Sequence, residues 1–83
     1  MKDDLPPWSE AAKNVKPGIY RHFKGGEIRV VGIAHHTETF EEMVVYHHTD
    51  GKQGLWVRPL VMWLEHVDRD GYSGPRFRFI REQ

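Results

Sequence analysis

Lys24-Gly25-Gly26, Asp50-Gly51 and Asp70-Gly71 are glycine-bearing turn signals that punctuate the chain at three places. The segments between them are rich in β-branched and aromatic residues. Gly18 to Phe23 predicts a first strand, Glu27 to Ala34 a second and Met43 to His48 a third. Leu55 to Arg58 predicts a short fourth strand, which Pro59 interrupts. Leu60 to Val67 reads as one helical turn followed by a strand, and Pro75 to Ile80 as the last strand. In that strand Phe77 and Phe79 share one face and Arg76, Arg78 and Ile80 the other. Along the second strand, alternation puts Ile28, Val30 and Ala34 on one side and Val31 and Ile33 on the other, while Gly32 predicts a bend or bulge. Thr49 to Gly54 is expected to be a turn and His35 to Glu42 a polar loop.

Five or six short strands with Gly-rich turns define a mainly β fold, either a small curled antiparallel sheet or an SH3-like, partly open barrel, with a short N-terminal arm. Residues 1–16 form the arm: Pro6-Pro7 is extended, Ser9 is placed to cap one helical turn over Glu10 to Lys13, and Trp8 is placed to pin it to the domain. Residues 17–83 form a single small β domain, since 83 residues leave no room for a second core. Such a chain buries about 60–65% of its unfolded surface. With no cysteine, disulfides and Cys-based zinc sites are excluded, so stability rests on packing. Tyr20, Phe23, Tyr46, Trp56, Trp63, Phe77 and Phe79 are the aromatic groups available for the core, with Trp8, Tyr72 and one rim aromatic expected at the surface.

Twelve basic and twelve acidic residues balance at pH 7, which removes the strong basic excess typical of nucleic-acid binders. No apolar run approaches the length of a membrane span and Met1-Lys2-Asp3-Asp4 has no signal-peptide character, so a cytoplasmic, membrane-free protein is expected. Ser9 and Ser73 lie outside any nucleophile elbow, and no Walker-type phosphate loop is present. Of the six histidines, His35-His36 and His47-His48 are adjacent pairs whose members point to opposite faces of a strand, so no metal ligand set and no cofactor are predicted.

Gly18-Ile19-Tyr20-Arg21-His22-Phe23-Lys24-Gly25, Ala34-His35-His36-Thr37-Glu38-Thr39-Phe40-Glu41, Val44-Val45-Tyr46, Leu55-Trp56-Val57-Arg58-Pro59-Leu60, Met62-Trp63 and Pro75-Arg76-Phe77 follow one another in order. Together, across about Lys16 to Phe79, they resemble the bacterial domain-of-unknown-function family 1653. The resemblance implies a compact, stand-alone β domain and no assigned chemistry.

The polar members of these segments, His22, Lys24, His36, Glu38, Thr39, Glu41, Arg58 and Arg76, are the candidate ligand-binding residues, with none assigned as catalytic. If they converge at one mouth of the scaffold, Arg58 and Arg76 hold an anion and Glu38 or His36 handles a proton or hydrogen bond. The competing structural reading makes the arginines tethers for Glu38 and loop carbonyls, with Thr37 or Thr39 capping the loop. The preferred function is a non-catalytic binding or adaptor module. The alternatives are a small enzyme or accessory subunit using Glu38 and His36 on a polar anionic small molecule, and an RNA- or DNA-binding small barrel. Its expected partner is an anionic small molecule, a peptide or a nucleic acid, and self-association through an open strand edge is a further expectation.

Overall fold

In the computed structural model, which describes residues 6–51 and 54–82, the chain builds one five-stranded antiparallel sheet and a separate two-stranded hairpin. The strands are β1 (Gly18–His22), β2 (Glu27–His35), β3 (Glu42–His48), β4 (Trp56–Pro59), β5 (His66–Arg69), β6 (Tyr72–Pro75) and β7 (Phe77–Arg81). Two single-turn helices, α1 (Glu10–Lys13) and α2 (Leu60–Trp63), precede β1 and follow β4. The large sheet runs β4-β3-β2-β1-β7 and β5 pairs with β6. The fold is mainly β, as expected, but in its open form. β4 and β7 are the two edges and do not meet, so the sheet does not close into a barrel.

One face of the large sheet carries the core. Antiparallel partners share a face, so the register pairs Tyr20↔Ile28, Val30↔Tyr46 and Tyr20↔Phe79 put these side chains together. Tyr20, Ile28, Val30, Val44, Tyr46 and Phe77 are buried there, and α2 covers them with Leu60 and Trp63. Trp63 stacks on Phe77 with centroids 3.9 Å apart and meets Tyr20 edge-on at 5.3 Å. Such pairs add about 0.5–1.5 kcal/mol beyond area burial.

The arm completes this layer. Ser9 caps α1 by accepting the Ala12 amide, and Ala12 is buried in the core cluster. Ser9 is itself held by Glu42, through its amide to Oε2 at 2.8 Å and its hydroxyl to Oε1 at 2.6 Å. Trp8 lies flat on His35, 4.0 Å between centroids. The Tyr20 hydroxyl donates to the Lys16 carbonyl and accepts the Lys16 amide, closing the connection into β1. At Gly18, φ is +141° and a Cβ would stand 2.6 Å from the Arg81 carbonyl oxygen, so only glycine lets β7 approach.

The phase expected for the second half of β2 is corrected. A bulge does occur between Val30 and Gly32, but its extra residue inverts the alternation beyond it. Ile33, opposite Val44, therefore packs on the core, while Val31 is 53% exposed. The turn at Asp70-Gly71 is formed with φ of 56° and 79° at its two residues, as a type I′ hairpin requires. It joins β5 to β6, a strand that the sequence reading did not anticipate. Of the predicted Thr49–Gly54 turn, Lys52 and Gln53 lie outside the described residues, as does the start of the arm up to Leu5. Among the described residues no helix is long and apolar enough to cross a membrane.

Candidate functional site

Core-facing positions continue past the cover that α2 provides. In β1 the phase that buries Tyr20 next places His22, in β3 the phase of Val44 and Tyr46 next places His48, and in β4 Trp56 and Arg58 lie opposite Tyr46 and Val44. His22, His48, Trp56 and Arg58 thus occupy core-phase positions at the uncovered margin of the core face. Together with Ile28, Tyr46, Phe77 and the Gly25-Gly26 hairpin they line a cavity of about 390 Å³.

Rings make most of its wall. His48 is edge-on to Trp56 at 5.8 Å and edge-on to Tyr46 at 6.1 Å, and His22 meets Phe77 edge-on at 5.0 Å. Trp56 is 49% exposed, with the largest aromatic surface at this margin. The Arg58 guanidinium lies 5.6 Å from the Phe77 centroid, a cation–π contact. Its Nε is sealed from solvent without an acceptor, and among the described residues no carboxylate pairs with it.

Arg76 is different. Its Nη2 donates to Glu65 Oε1 at 2.7 Å, its amide donates to the Glu65 carbonyl, and its own carbonyl accepts the Phe23 amide. It fastens β7 to the end of α2 and to the β1–β2 hairpin. Its carboxylate partner is Glu65 rather than the Glu38 that the structural reading of the sequence supplied.

The electrostatics of the margin are recorded by His22. Burial, and then the charges of Arg58, Arg76, Lys24 and Arg69, hold its pKa below the ordinary 6.5. His22 Nδ1 accepts the Lys24 amide at 3.1 Å, so the neutral ring carries its proton on Nε2, where it is a donor. Lys24 and Arg69 sit over the Phe23 ring at 5.9 Å and 5.2 Å.

The eight residues singled out from the sequence therefore divide into two groups. His22, Lys24, Arg58 and Arg76 gather around the margin. His36, Glu38, Thr39 and Glu41 form the loop between β2 and β3, at the other end of β2 from the Gly25-Gly26 hairpin; nine residues of strand set the loop about 26 Å from that hairpin, whereas Arg58, opposite Val44, is level with Ile33 and two strands across from it. The loop is self-contained. His36 Nδ1 accepts the Glu38 and Thr39 amides, Thr39 Oγ1 accepts the Glu41 amide, and the His36 amide donates to the Glu41 carbonyl. The eight do not line one cavity: His22 and Arg58 line it, from β1 and β4, while the four loop residues are not among its lining. Tyr46, His48, Trp56 and Phe77 were read as core or histidine-set residues rather than as site residues. Their signal was the strand phase: polar His22, His48 and Arg58 stand where the alternation calls for core residues. No three His, Asp or Glu side chains converge as a metal site among the described residues.

An open five-stranded sheet whose core face ends in a cation-and-aromatic cavity defines a small β domain of a single layer with helical cover. The comparisons with known proteins give the class its name. Residues 18–79 match the model of a family described as a protein of unknown function, DUF1653, and the chain belongs to that family. It is similar to the crystal structure of a DUF1653 protein from Bordetella bronchiseptica, with a TM-score of 0.76 and 35% identity over 83% of this chain and 91% of that one. No functionally curated protein matches the chain.

Proposed function

We propose that this domain is a non-catalytic binding module whose cavity takes an anionic group on Arg58. The observation that carries this reading is Arg58 itself: a guanidinium in a core-phase position, lining a cavity, with no carboxylate partner among the described residues. A guanidinium without a carboxylate keeps its fork of donors available for bidentate pairing with a ligand anion, the charge-assisted geometry that arginine favours. Neutral His22 adds an Nε2–H donor beside it. The small-enzyme alternative loses its acid–base pair, because His36 and Glu38 cap a loop at the far end of β2.

The test is a titration with inorganic phosphate and pyrophosphate, followed by NMR of the arginine Nε–H and tryptophan Nε1–H groups. Shifts concentrated at Arg58 and Trp56, and abolished by Arg58→Gln, support the module. Uniform small shifts, or shifts that survive Arg58→Gln, defeat it.

A further inference from the structure

Resting on that reading, we infer that the anion is the phosphate of a nucleotide whose base lies against Trp56. Three observations narrow the ligand. First, the cavity pairs an anion-binding end with a ring-binding end. Arg58 and His22 line it together with Trp56, Tyr46, His48 and Phe77, so a ligand filling it meets cationic donors and aromatic faces at once. A bare inorganic anion uses only the first.

Second, the charge exceeds what one carboxylate needs. Of the cations acting on His22, Arg76 has Glu65, whereas Arg58, Lys24 and Arg69 have no carboxylate partner among the described residues; Arg58 lines the cavity, and Lys24 and Arg69, over Phe23, add their charge from outside its lining. A phosphate monoester, with up to two negative charges and three terminal oxygens, is better matched to such a surplus.

Third, Trp56 spends little of its ring on the fold. It is on the edge strand, half exposed, and its one aromatic neighbour in the structure, His48, meets it at 86°, which leaves ring face open. Stacking on such a face tolerates any base, because every base has a π-face. The Gly25-Gly26 hairpin also lines the cavity and presents no side chain to it.

The shared chemistry is a nucleotide unit, either free or part of a single strand. The experiment measures affinities of the full chain for uridine monophosphate, adenosine monophosphate, ribose 5-phosphate, uridine, inorganic phosphate and a uridine hexanucleotide. A nucleotide monophosphate binding at least tenfold tighter than ribose 5-phosphate supports the inference, as does loss of that ratio in Trp56→Ala with ribose 5-phosphate affinity unchanged. A hexanucleotide at least tenfold tighter than the monophosphate assigns the unit to a single strand, and equal affinities assign it to a free nucleotide. If ribose 5-phosphate and phosphate bind through Arg58 but the monophosphates bind no tighter, the nucleotide inference is overturned and the anion module stands. If none of the probes binds, both are overturned.

Discussion

Trp63 and Phe77 lie parallel within 9°, with 3.9 Å between their centroids, and Phe77 also carries the Arg58 guanidinium 5.6 Å from its ring centre. The helical cover and the cavity therefore share one ring. Truncating Trp63 to Ala is expected to cost about 3–5 kcal/mol, as for other buried aromatics. At about 0.05–0.15 kcal/mol per residue the whole domain holds only about 4–12 kcal/mol. Urea unfolding should find Trp63→Ala close to unfolded and Trp63→Phe well folded. A loss below about 1 kcal/mol in Trp63→Ala would contradict the packing described.

The two arginines should separate in their effects. Arg76 joins three segments through an ion pair with half-exposed Glu65 and two backbone bonds, whereas Arg58 has no carboxylate partner among the described residues. Arg76→Met, which keeps the two backbone bonds, is expected to lower the melting temperature by an amount equivalent to about 1 kcal/mol. Arg58→Met should leave it unchanged or raise it while removing anion binding. Equal destabilisation by both would make Arg58 a structural tether.

A pH dependence follows from His22. Its folded pKa lies below 6.5 because burial and the surrounding cations disfavour the charged ring. The unfolded chain then binds more protons in this window, so the stability linked to His22 is complete above 6.5 and is lost as pH falls through the folded value. Chemical denaturation from pH 8 to pH 5 should show wild-type stability falling at the acidic end and His22→Gln falling less. Superimposable slopes for the two proteins would remove His22 as the source. Phosphate binding should raise the His22 pKa, since a bound anion stabilises the imidazolium.

Glu42 acts on the arm with the opposite chemistry. The Ser9 hydroxyl and amide bonds hold its carboxyl below the ordinary 4.5, so its contribution is present above that value and is lost as pH falls through the lower folded one. Ser9→Ala removes both the cap of α1 and the hydroxyl bond, for an expected loss of about 1–2 kcal/mol. Hydrogen exchange should quicken at the Ala12 amide and in the rest of α1. Unchanged protection there would show that the arm is held by Trp8 and Ala12 alone.

Phe40 has φ of 62°, in the left-handed region, while its amide donates to the His36 carbonyl. A left-handed non-glycine residue costs about 1–2 kcal/mol, and asparagine tolerates the conformation best. Phe40→Asn should raise the melting temperature. A lower melting temperature would mean that the half-exposed ring contributes more packing than its conformation costs.

The strands with β-branched and aromatic alternation, β1, β3 and β7, were legible from sequence, as was the helical turn over Leu60. β6 was not, because Tyr72-Ser73-Gly74-Pro75 has no strand propensity of its own and is extended only because the Asp70-Gly71 turn folds it back on β5. Gly32 announced the bulge, yet a bulge conceals its own consequence, since the residue count on the partner strand decides which of Ile33 and Ala34 turns inward. The site was half legible for a similar reason. Motif order identifies which polar residues recur together, but whether two of them meet depends on which end of β2 each flanks. Glu65, the partner of Arg76, lies between α2 and β5 in a segment with no periodicity to mark it.

The cavity shares Ile28, Tyr46 and Phe77 with the folding core. Under the proposed function, recognition and folding draw on one set of atoms, and an occupant that binds only the folded chain adds thermal resistance: about 2.7 kcal/mol at a hundredfold excess over its dissociation constant. A melting screen of metabolite libraries therefore reads out occupancy directly. Selection on this chain's thermal resistance acts on the cavity as well, because the hydrocarbon that keeps the chain folded is also the cavity's floor.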